Sequence, residues 1–418
     1  MEINISGDNK LQLFITNKKI DKKLITHLSI NNCKNLTHLP DIIGILGALT
    51  TLEINNCNKL THLPDNIGQL LRALTTFRID NCNNLTHFPD SFCQLLALTT
   101  LEIDNCNNLT HFPDSLGNLR ALTTFTINYC NILTHLPDSI GNLQALTSLE
   151  ISRCNNLTHF PESVGNLSAL TTFNISGCDK LTNLPDSFGQ LRALTKLNIW
   201  NCNNLTHLPE SIGNLSALTS FEIYNCEKIT HLSESFGRLW ALTKLDIRTC
   251  EKITHLPESI GNLQALTTLC ISDCDNLTHL PDSFGRLREL TTFNIYNCVN
   301  LRQLPDSIGQ LRALTTFQIQ YCEKLTHLPE SFGNLQALTT LEIMFCEKLT
   351  HYVLPNSICF CKNLQKIYIS NINMLPPSMI LLEKINDIQV IDEYYTKTLH
   401  NIDELRLIWC RILKNMCI

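Results

Sequence analysis

A 24-residue period is the feature of this 418-residue sequence that most restricts how the chain can fold. Each period carries a cysteine in one register, and the one irregular step, 25 residues from Cys57 to Cys82, follows from an extra leucine in "GQLLRALTT". A unit this short cannot bury an apolar face by itself, so consecutive units must stack and share one core. The sequence therefore predicts a solenoid with a ladder of cysteines: Cys33, Cys57, Cys82, Cys106, Cys130, Cys154, Cys178, Cys202, Cys226, Cys250, Cys274, Cys298, Cys322 and Cys346.

Alternation within each unit predicts one strand per period. In "LTTLEIDNC" the apolar Leu101 and Ile103 alternate with polar neighbours, which is the spacing of a strand with one buried face. We expect these strands to lie parallel in one sheet, while the rest of each unit returns the chain to the next strand. Four apolar residues of the return should project into the core, and a proline and a glycine should support a turn or short helix: Leu109, Phe112, Leu116 and Leu119, with Pro113 and Gly117.

The repeated unit reads L-T-x-[LF]-x-I-x-x-C-x-x-[LI]-T-H-[LF]-P-[DE]-S-[IF]-G-x-L-x-A, and it resembles the leucine-rich repeats. Its L-P-x-x-I-G-x-L portion is similar to the repeats of plant intracellular immune receptors. The resemblance covers about Leu24 to Ile372. It implies an α/β repeat solenoid, a curved horseshoe with a parallel concave sheet and short turns or helices on the convex side.

Both ends of the chain depart from the repeat, as capping of a solenoid requires. Residues 1–23 are rich in lysine, and the regular period fails after Cys346, where "THYVLPNSI" has two extra residues. We therefore divide the chain into an N-terminal cap at 1–23, a leucine-rich repeat array at 24–372, and a degenerate repeat with a C-terminal cap at 373–418.

Composition and charge exclude several classes of partner. The formal net charge is -6, so the whole molecule is not drawn electrostatically to nucleic acid or to an anionic membrane. No window approaches the roughly 18 uninterrupted apolar residues of a membrane helix, and the N-terminus lacks the apolar region of a secretory signal. We expect an intracellular, cytoplasmic protein that binds neither nucleic acid nor membranes.

The repeated cysteines and histidines raise the possibilities of disulfides, metal binding and catalysis. Neighbouring strands about 4.8 Å apart leave disulfide pairing geometrically possible, but each cysteine should point into a turn, which favours an inert buried thiol. A zinc site needs about four converging ligands, whereas a straight ladder offers one imidazole per rung, so no metal or other cofactor is expected. Motifs of nucleotide-binding loops, metalloproteases and serine hydrolases are absent, and we expect no enzymatic activity. Twelve histidines lie five residues after a cysteine: His38, His62, His87, His111, His135, His159, His207, His231, His255, His279, His327 and His351.

Outward strand positions vary most in three consecutive units, and these positions are the candidate partner-binding surface. Large aromatic side chains and arginine, which dominate binding hot spots, occur two residues before the cysteine in each unit, so strands about 4.8 Å apart should bring them together. The arginine is expected to pair with an acidic or aromatic group of a partner. Drift among recent duplicates is the alternative explanation. The candidate residues are Lys196, Trp200, Glu222, Tyr224, Lys244, Asp246 and Arg248, and a second cluster is Tyr296, Gln320, Tyr321, Met344 and Phe345.

Two classes of function remain. The favoured one is a non-enzymatic scaffold or recognition module that binds a protein on its concave face. The alternative is a substrate adaptor of a ubiquitin ligase, because "NCEKITHL" also resembles the cysteine-containing repeats of F-box proteins, although the stretch before Leu24 is too short for an F-box. An immune-receptor-like recognition protein would be expected to carry a nucleotide-binding loop, which the sequence lacks.

Overall fold

The computed structural model describes residues 1–17, 19–349, 354–391, 396–399, 403–404 and 407. The chain divides into two compact units, Met1–Ala217 and Leu218–Ile418. In both units each period contributes one short strand, followed by a return segment with a short helix.

In the first unit, nine parallel strands pair in the order in which they occur along the chain. An α-helix, α1 (Asp8–Thr16), follows the first strand and buries Leu11 and Phe14, and a second, α2 (Ile67–Leu70), lies in a return segment. The strands are β1 (Glu2–Ser6), β2 (His27–Asn31), β3 (Thr51–Asn55), β4 (Thr76–Asp80), β5 (Thr100–Asp104), β6 (Thr124–Asn128), β7 (Ser148–Ser152), β8 (Thr172–Ser176) and β9 (Lys196–Trp200).

In the second unit, eight strands continue the same parallel pattern, and a ninth strand pairs antiparallel with the eighth. The strands are β10 (Ser220–Tyr224), β11 (Lys244–Arg248), β12 (Thr268–Ser272), β13 (Thr292–Tyr296), β14 (Thr316–Gln320), β15 (Thr340–Met344), β16 (Lys366–Ile369), β17 (Asp387–Ile391) and β18 (Thr396–Leu399).

Short 3-10 helices occupy nearly all of the return segments, where the sequence predicted turns or short helices. Most of them begin directly after the repeated proline, whose φ near -70° suits the start of a helical turn. Their bounds are Lys22–Leu24, Asp41–Ile45, Asp90–Gln94, Leu116–Asn118, Asp138–Asn142, Glu162–Asn166, Asp186–Gln190 and Glu210–Asn214 in the first unit, and Glu234–Arg238, Glu258–Asn262, Asp282–Arg286, Asp306–Gln310, Glu330–Asn334, Asn356–Phe360, Ile372–Met374 and Pro377–Leu381 in the second.

The core of each unit lies between the sheet and the return segments. In β5, Leu101 and Ile103 are fully buried and alternate with Thr100, Glu102 and Asp104, as the strand pattern predicted. The four return residues predicted to point inward, Leu109, Phe112, Leu116 and Leu119, are at most 3% exposed. The predicted α/β repeat solenoid is confirmed, because the apolar residues that recur with the repeat are the ones that are buried in every regular repeat.

Two contacts join each 24-residue repeat to the next, and they explain why a threonine and a glycine recur outside the apolar pattern. The hydroxyl of Thr123 and its backbone N–H both donate to the carbonyl oxygen of Thr99, 24 residues earlier, at 3.0 and 2.8 Å. On the return side, a Cβ added to Gly117 would lie 2.1 Å from the carbonyl oxygen of Ser139. Close approach of the next backbone therefore requires glycine here, rather than an unusual backbone conformation.

The residue before each of the fourteen ladder cysteines adopts a left-handed conformation, with φ between 49° and 59°. Asparagine occupies seven of these fourteen positions and glycine one, because both tolerate this region. Thr249, Tyr321 and Phe345 adopt it as well, although bulky and β-branched residues are strained there. Sequence reasoning missed this turn, but the frequent Asn-Cys pair was a usable signal.

Candidate functional site

The strand face, defined as the sheet surface formed by the first, third and fifth residue of each strand, lies outside the core. In β10, Phe221 and Ile223 are completely buried, whereas Ser220, Glu222 and Tyr224 reach the surface. Alternation of inward and outward side chains along a strand produces this division. Side chains of the strand face that differ between repeats can therefore contact a partner without disturbing the packing of the core.

The two candidate residues of the first unit lie on β9. Lys196 is exposed, and Trp200 keeps 37% of its surface accessible although Ile199 beside it is buried. Asn198, between them in the outward register, is 2% exposed and donates its amide to Asn174 Oδ1 at 2.9 Å. Trp200 is thus an exposed aromatic side chain that makes no contribution to the core.

Four candidate residues of the second unit form a charge network, defined as Glu222, Lys244, Asp246 and Arg248. Lys244 Nζ lies 2.6 Å from Glu222 Oε1 and 4.0 Å from Asp246 Oδ2. Arg248 donates to Asp246 twice, from Nε to Oδ1 at 2.6 Å and from Nη2 to Oδ2 at 2.8 Å. Tyr224 is 44% exposed and pairs in register with Arg248 on the neighbouring strand.

Pairing within the network changes the role expected for Arg248. The sequence suggested that its guanidinium binds a partner, but the two donors named above already contact Asp246, which is only 6% exposed. These hydrogen bonds raise the pKa of Arg248 above its ordinary value. An aspartate and an arginine two residues apart on one strand share a face, so this pairing was readable from the sequence.

The second candidate cluster contains an aromatic shelf, defined as Tyr296, Tyr321 and Phe345. The ring centroids of Tyr296 and Tyr321 are 5.1 Å apart in an edge-on arrangement, and those of Tyr321 and Phe345 are 4.9 Å apart and stacked. Tyr296 and Tyr321 are 43% and 38% exposed. The remaining members, Gln320 and Met344, pair in register on β14 and β15, and Met344 is buried rather than exposed as the sequence suggested.

Glu342 joins this cluster, although the sequence did not mark it as a candidate. Its carboxylate accepts a hydrogen bond from Gln318 Nε2 at 2.7 Å, and another from Gln320. Burial raises the pKa of Glu342 above its ordinary value of 4.5. Within the described residues, no lysine, arginine or histidine forms an ion pair with it.

The ladder cysteines are free and almost completely buried. Cys106 Sγ donates to the carbonyl oxygen of Asp104 at 3.5 Å, so the thiol satisfies a backbone acceptor in the turn. Burial raises the pKa of Cys106 and Cys202 to about 12. Cys270, on the strand face, is only partly exposed, and burial raises its pKa to about 11. Cys106, Cys202 and Cys270 therefore stay protonated near neutral pH, and a protonated thiol is a poor nucleophile.

The histidine ladder is exposed on the return side of each unit, except that His351 lies outside the described residues. Thr110 Oγ1 lies 3.0 Å from the carbonyl oxygen of Thr86 and 2.7 Å from His111 Nδ1. Neighbouring rings such as His87 and His111 stack with centroids 6.0 Å apart. In the described part of the chain, no three histidine, cysteine or acidic side chains come together as a possible metal site.

Comparison with known proteins gives a consistent result for the fold. The chain matches a structure of a leucine-rich repeat protein of Leptospira interrogans with 26% identity and a TM-score of 0.61, over 82% of this chain and 83% of that one. The Toll–Spatzle complex of Drosophila matches with 17% identity and a TM-score of 0.54, over 88% of this chain and 50% of that one. No curated protein sequence matches the chain.

The described helices include none that is both long and apolar enough to cross a membrane. A family model described as "Leucine-rich repeat region" matches residues 23–159, 138–252 and 247–326, which together span most of the array. Strand-and-return units, a buried cysteine ladder and these matches agree, and the chain belongs to the leucine-rich repeat family.

Proposed function

We propose that the protein is a non-enzymatic recognition module that binds a protein partner on its strand face. One observation carries this proposal: large aromatic side chains lie exposed on the strand face while the core beneath them is complete. Trp200, Tyr224 and Tyr296 are 37%, 44% and 43% exposed, and the isoleucine preceding each is at most 1% exposed. Exposed aromatic residues above a rigid scaffold are typical of binding hot spots.

Seven residues are the proposed contacts, with different roles. Trp200 in the first unit and Tyr224 in the second supply apolar contact area. The charge network holds the side chains next to Tyr224 in one arrangement, so a partner binding there loses less conformational entropy in ordering them. The proposed contacts are Lys196, Trp200, Glu222, Tyr224, Lys244, Asp246 and Arg248.

The chemistry of the remaining side chains supports recognition rather than catalysis. Burial raises the pKa of ladder thiols such as Cys106 and Cys202, and the ladder histidines are spread along the array one per rung, so neither set concentrates unlike groups at one point. Free thiols in such number suit a reducing compartment, which favours a location inside a cell. The Toll–Spatzle complex is a precedent for a bound partner on this fold.

The experiment is affinity capture followed by titration of the partner with purified variants. Trp200→Ala and Tyr224→Ala should each weaken binding by about 2 kcal/mol, because hot-spot aromatics contribute that much, while stability changes by less than about 0.5 kcal/mol. Trp240→Ala is the matched control, since Trp240 is 71% exposed but lies on a return segment. Equal affinity of the parent and the Trp200→Ala, Tyr224→Ala double variant would remove this surface from consideration. Recovery of ligase subunits would instead favour the substrate adaptor.

A further inference from the structure

The carboxylates on the strand face of β10 to β16 fall into two kinds. Glu222 lies 2.6 Å from the ammonium group of Lys244, and Asp246 lies 2.6 Å from the guanidinium group of Arg248. Glu342, the third carboxylate of these strands, has two neutral amides instead, from Gln318 and Gln320. Its negative charge is therefore held in place without being neutralised.

Glu342 is also partly withdrawn from water. Its residue is half-buried, and burial raises its pKa, which means that the surroundings stabilise the ionised form less well than water does. Each carboxylate oxygen retains a further lone pair after accepting one amide hydrogen. A cation placed beside it would supply the missing stabilisation.

The residues of the aromatic shelf lie at the ends of β13, β14 and β15, and β15 carries this carboxylate. Gln320, which donates to Glu342, is followed directly by Tyr321, and Phe345 follows the strand that carries Glu342. Tyr296 pairs in register with Gln320. A long cationic side chain could lay its aliphatic part on these rings while its charged end reaches Glu342.

The first unit contains an internal example of the same chemistry. Tyr129 occupies the left-handed turn position that Tyr321 occupies in the second unit, and the guanidinium of Arg153 lies 4.9 Å from its ring centroid. Arg153 occupies the same turn position in the next 24-residue repeat. Phe345 likewise occupies it in the repeat after that of Tyr321. The fold thus accommodates an arginine against an aromatic residue at this turn, and the shelf has no arginine of its own there.

We propose that Glu342 and the aromatic shelf form a subsite for a cationic side chain, in the first place an arginine, presented by a protein partner. The inference rests on the proposed function, because it assigns the chemistry of the partner at one part of the strand face. A planar guanidinium suits the site better than an ammonium, since it stacks on aromatic rings and donates several hydrogen bonds to a carboxylate.

The test uses the full chain with 13C-labelled methionine methyl groups and N-acetyl-arginine amide as the probe. The sequence has five methionines, and Met344 belongs to the cluster, so its methyl signal reports occupancy of the subsite. We expect a saturable shift of the Met344 signal with the arginine probe and a smaller one with N-acetyl-lysine amide. N-acetyl-citrulline amide, which is neutral and similar in shape, should bind at least about tenfold more weakly.

Two variants separate the charge from the rings. Glu342→Gln should weaken arginine binding about tenfold and abolish its decrease at acid pH. A Tyr321→Asn, Phe345→Asn variant should also lose binding while keeping the turn, because asparagine is the usual residue there. Tyr129→Asn is the control and should bind the probe as the parent does. No shift of Met344, or equal shifts with arginine and citrulline, would overturn the proposal.

Failure here is distinguishable from failure of the proposed function. The Met344 signal reports the subsite alone and requires no natural partner. Loss of a captured partner on Trp200→Ala or Tyr224→Ala, with no response of Met344 to arginine, would support recognition on the strand face and reject the subsite.

Discussion

The charge network and the carboxylate of Glu342, which lies near the aromatic shelf, belong to the strand face of the second compact unit, yet only the network pairs its carboxylates with cations of the described residues. In the network, Asp246 is 6% exposed and receives two hydrogen bonds from Arg248, while Glu222 contacts Lys244. In the shelf region, the hydrogen bonds that Glu342 accepts from the described residues come from the neutral side chains of Gln318 and Gln320.

This difference in charge pairing distinguishes side chains that stabilise the fold from side chains that can bind a ligand. A network that satisfies its own charges holds its side chains in place and contributes to the folded state. A carboxylate without a cation, next to exposed rings, contributes little to folding but has unused capacity for a ligand. Exposed charge alone therefore does not identify a binding site, whereas its internal partners help to do so.

Replacing Arg248 by alanine gives the largest expected effect of the comparison. The substitution leaves the buried Asp246 carboxylate without its two charged hydrogen bonds, and it should lower the free energy of unfolding by about 2 kcal/mol. Urea unfolding followed by circular dichroism measures the change. Glu342→Gln is the matched variant of the shelf region, and a loss as large as that of Arg248→Ala would contradict the distinction drawn between the two regions.

Replacing the strained turn residues by asparagine gives the next largest effect. Thr249, next to the network, has a φ of 50°, so Thr249→Asn should stabilise the protein by about 1 kcal/mol. Tyr321→Asn relieves similar strain but removes the ring contacts with Tyr296 and Phe345, so its net effect should be near zero. Thermal unfolding of both variants provides the comparison. A clear stabilisation by Tyr321→Asn would show that the shelf is costly to the fold and retained for another reason.

The pH dependence of Glu342 is the smallest expected effect. Burial raises its folded pKa above the ordinary 4.5, so the ionised group destabilises the folded state at neutral pH. The penalty is fully present above the folded pKa and disappears as the pH falls through it towards the unfolded value. The stability of the parent relative to Glu342→Gln should therefore increase on acidification from pH 7, by a few tenths of a kcal/mol. Parallel pH profiles for the two proteins would exclude this penalty.

Much of the fold could be predicted from the sequence because its signals are local and repeated many times. Alternation in "LTTLEIDNC" identified the strand, and the apolar return residues Leu109 to Leu119 identified the other side of the core. The boundaries at 1–23, 24–372 and 373–418 remain predictions. Part of the last segment lies outside the described residues.

The candidate site was less predictable because it depends on contacts between units. The sequence identified Tyr224 and the rings of the shelf as outward residues, and the structure shows them exposed or half-buried. It did not identify Glu342, which is an ordinary strand glutamate whose importance comes from Gln318, 24 residues earlier. Joint placement of Trp200 with Tyr224 and Arg248 in one surface stays a prediction.

By itself, the sequence determined the period, the buried cysteine ladder, the strand positions and the outward direction of the histidines, because each depends on neighbours within one unit. Only the tertiary structure decided which outward groups are already satisfied. Arg248 on β11 and Glu342 on β15 both lie outward, but their partners arise in different ways. Arg248 meets Asp246 on its own strand, whereas Glu342 meets Gln318 across strands, so the register set by the stacking of whole repeats decides that Glu342 has no cation among the described residues.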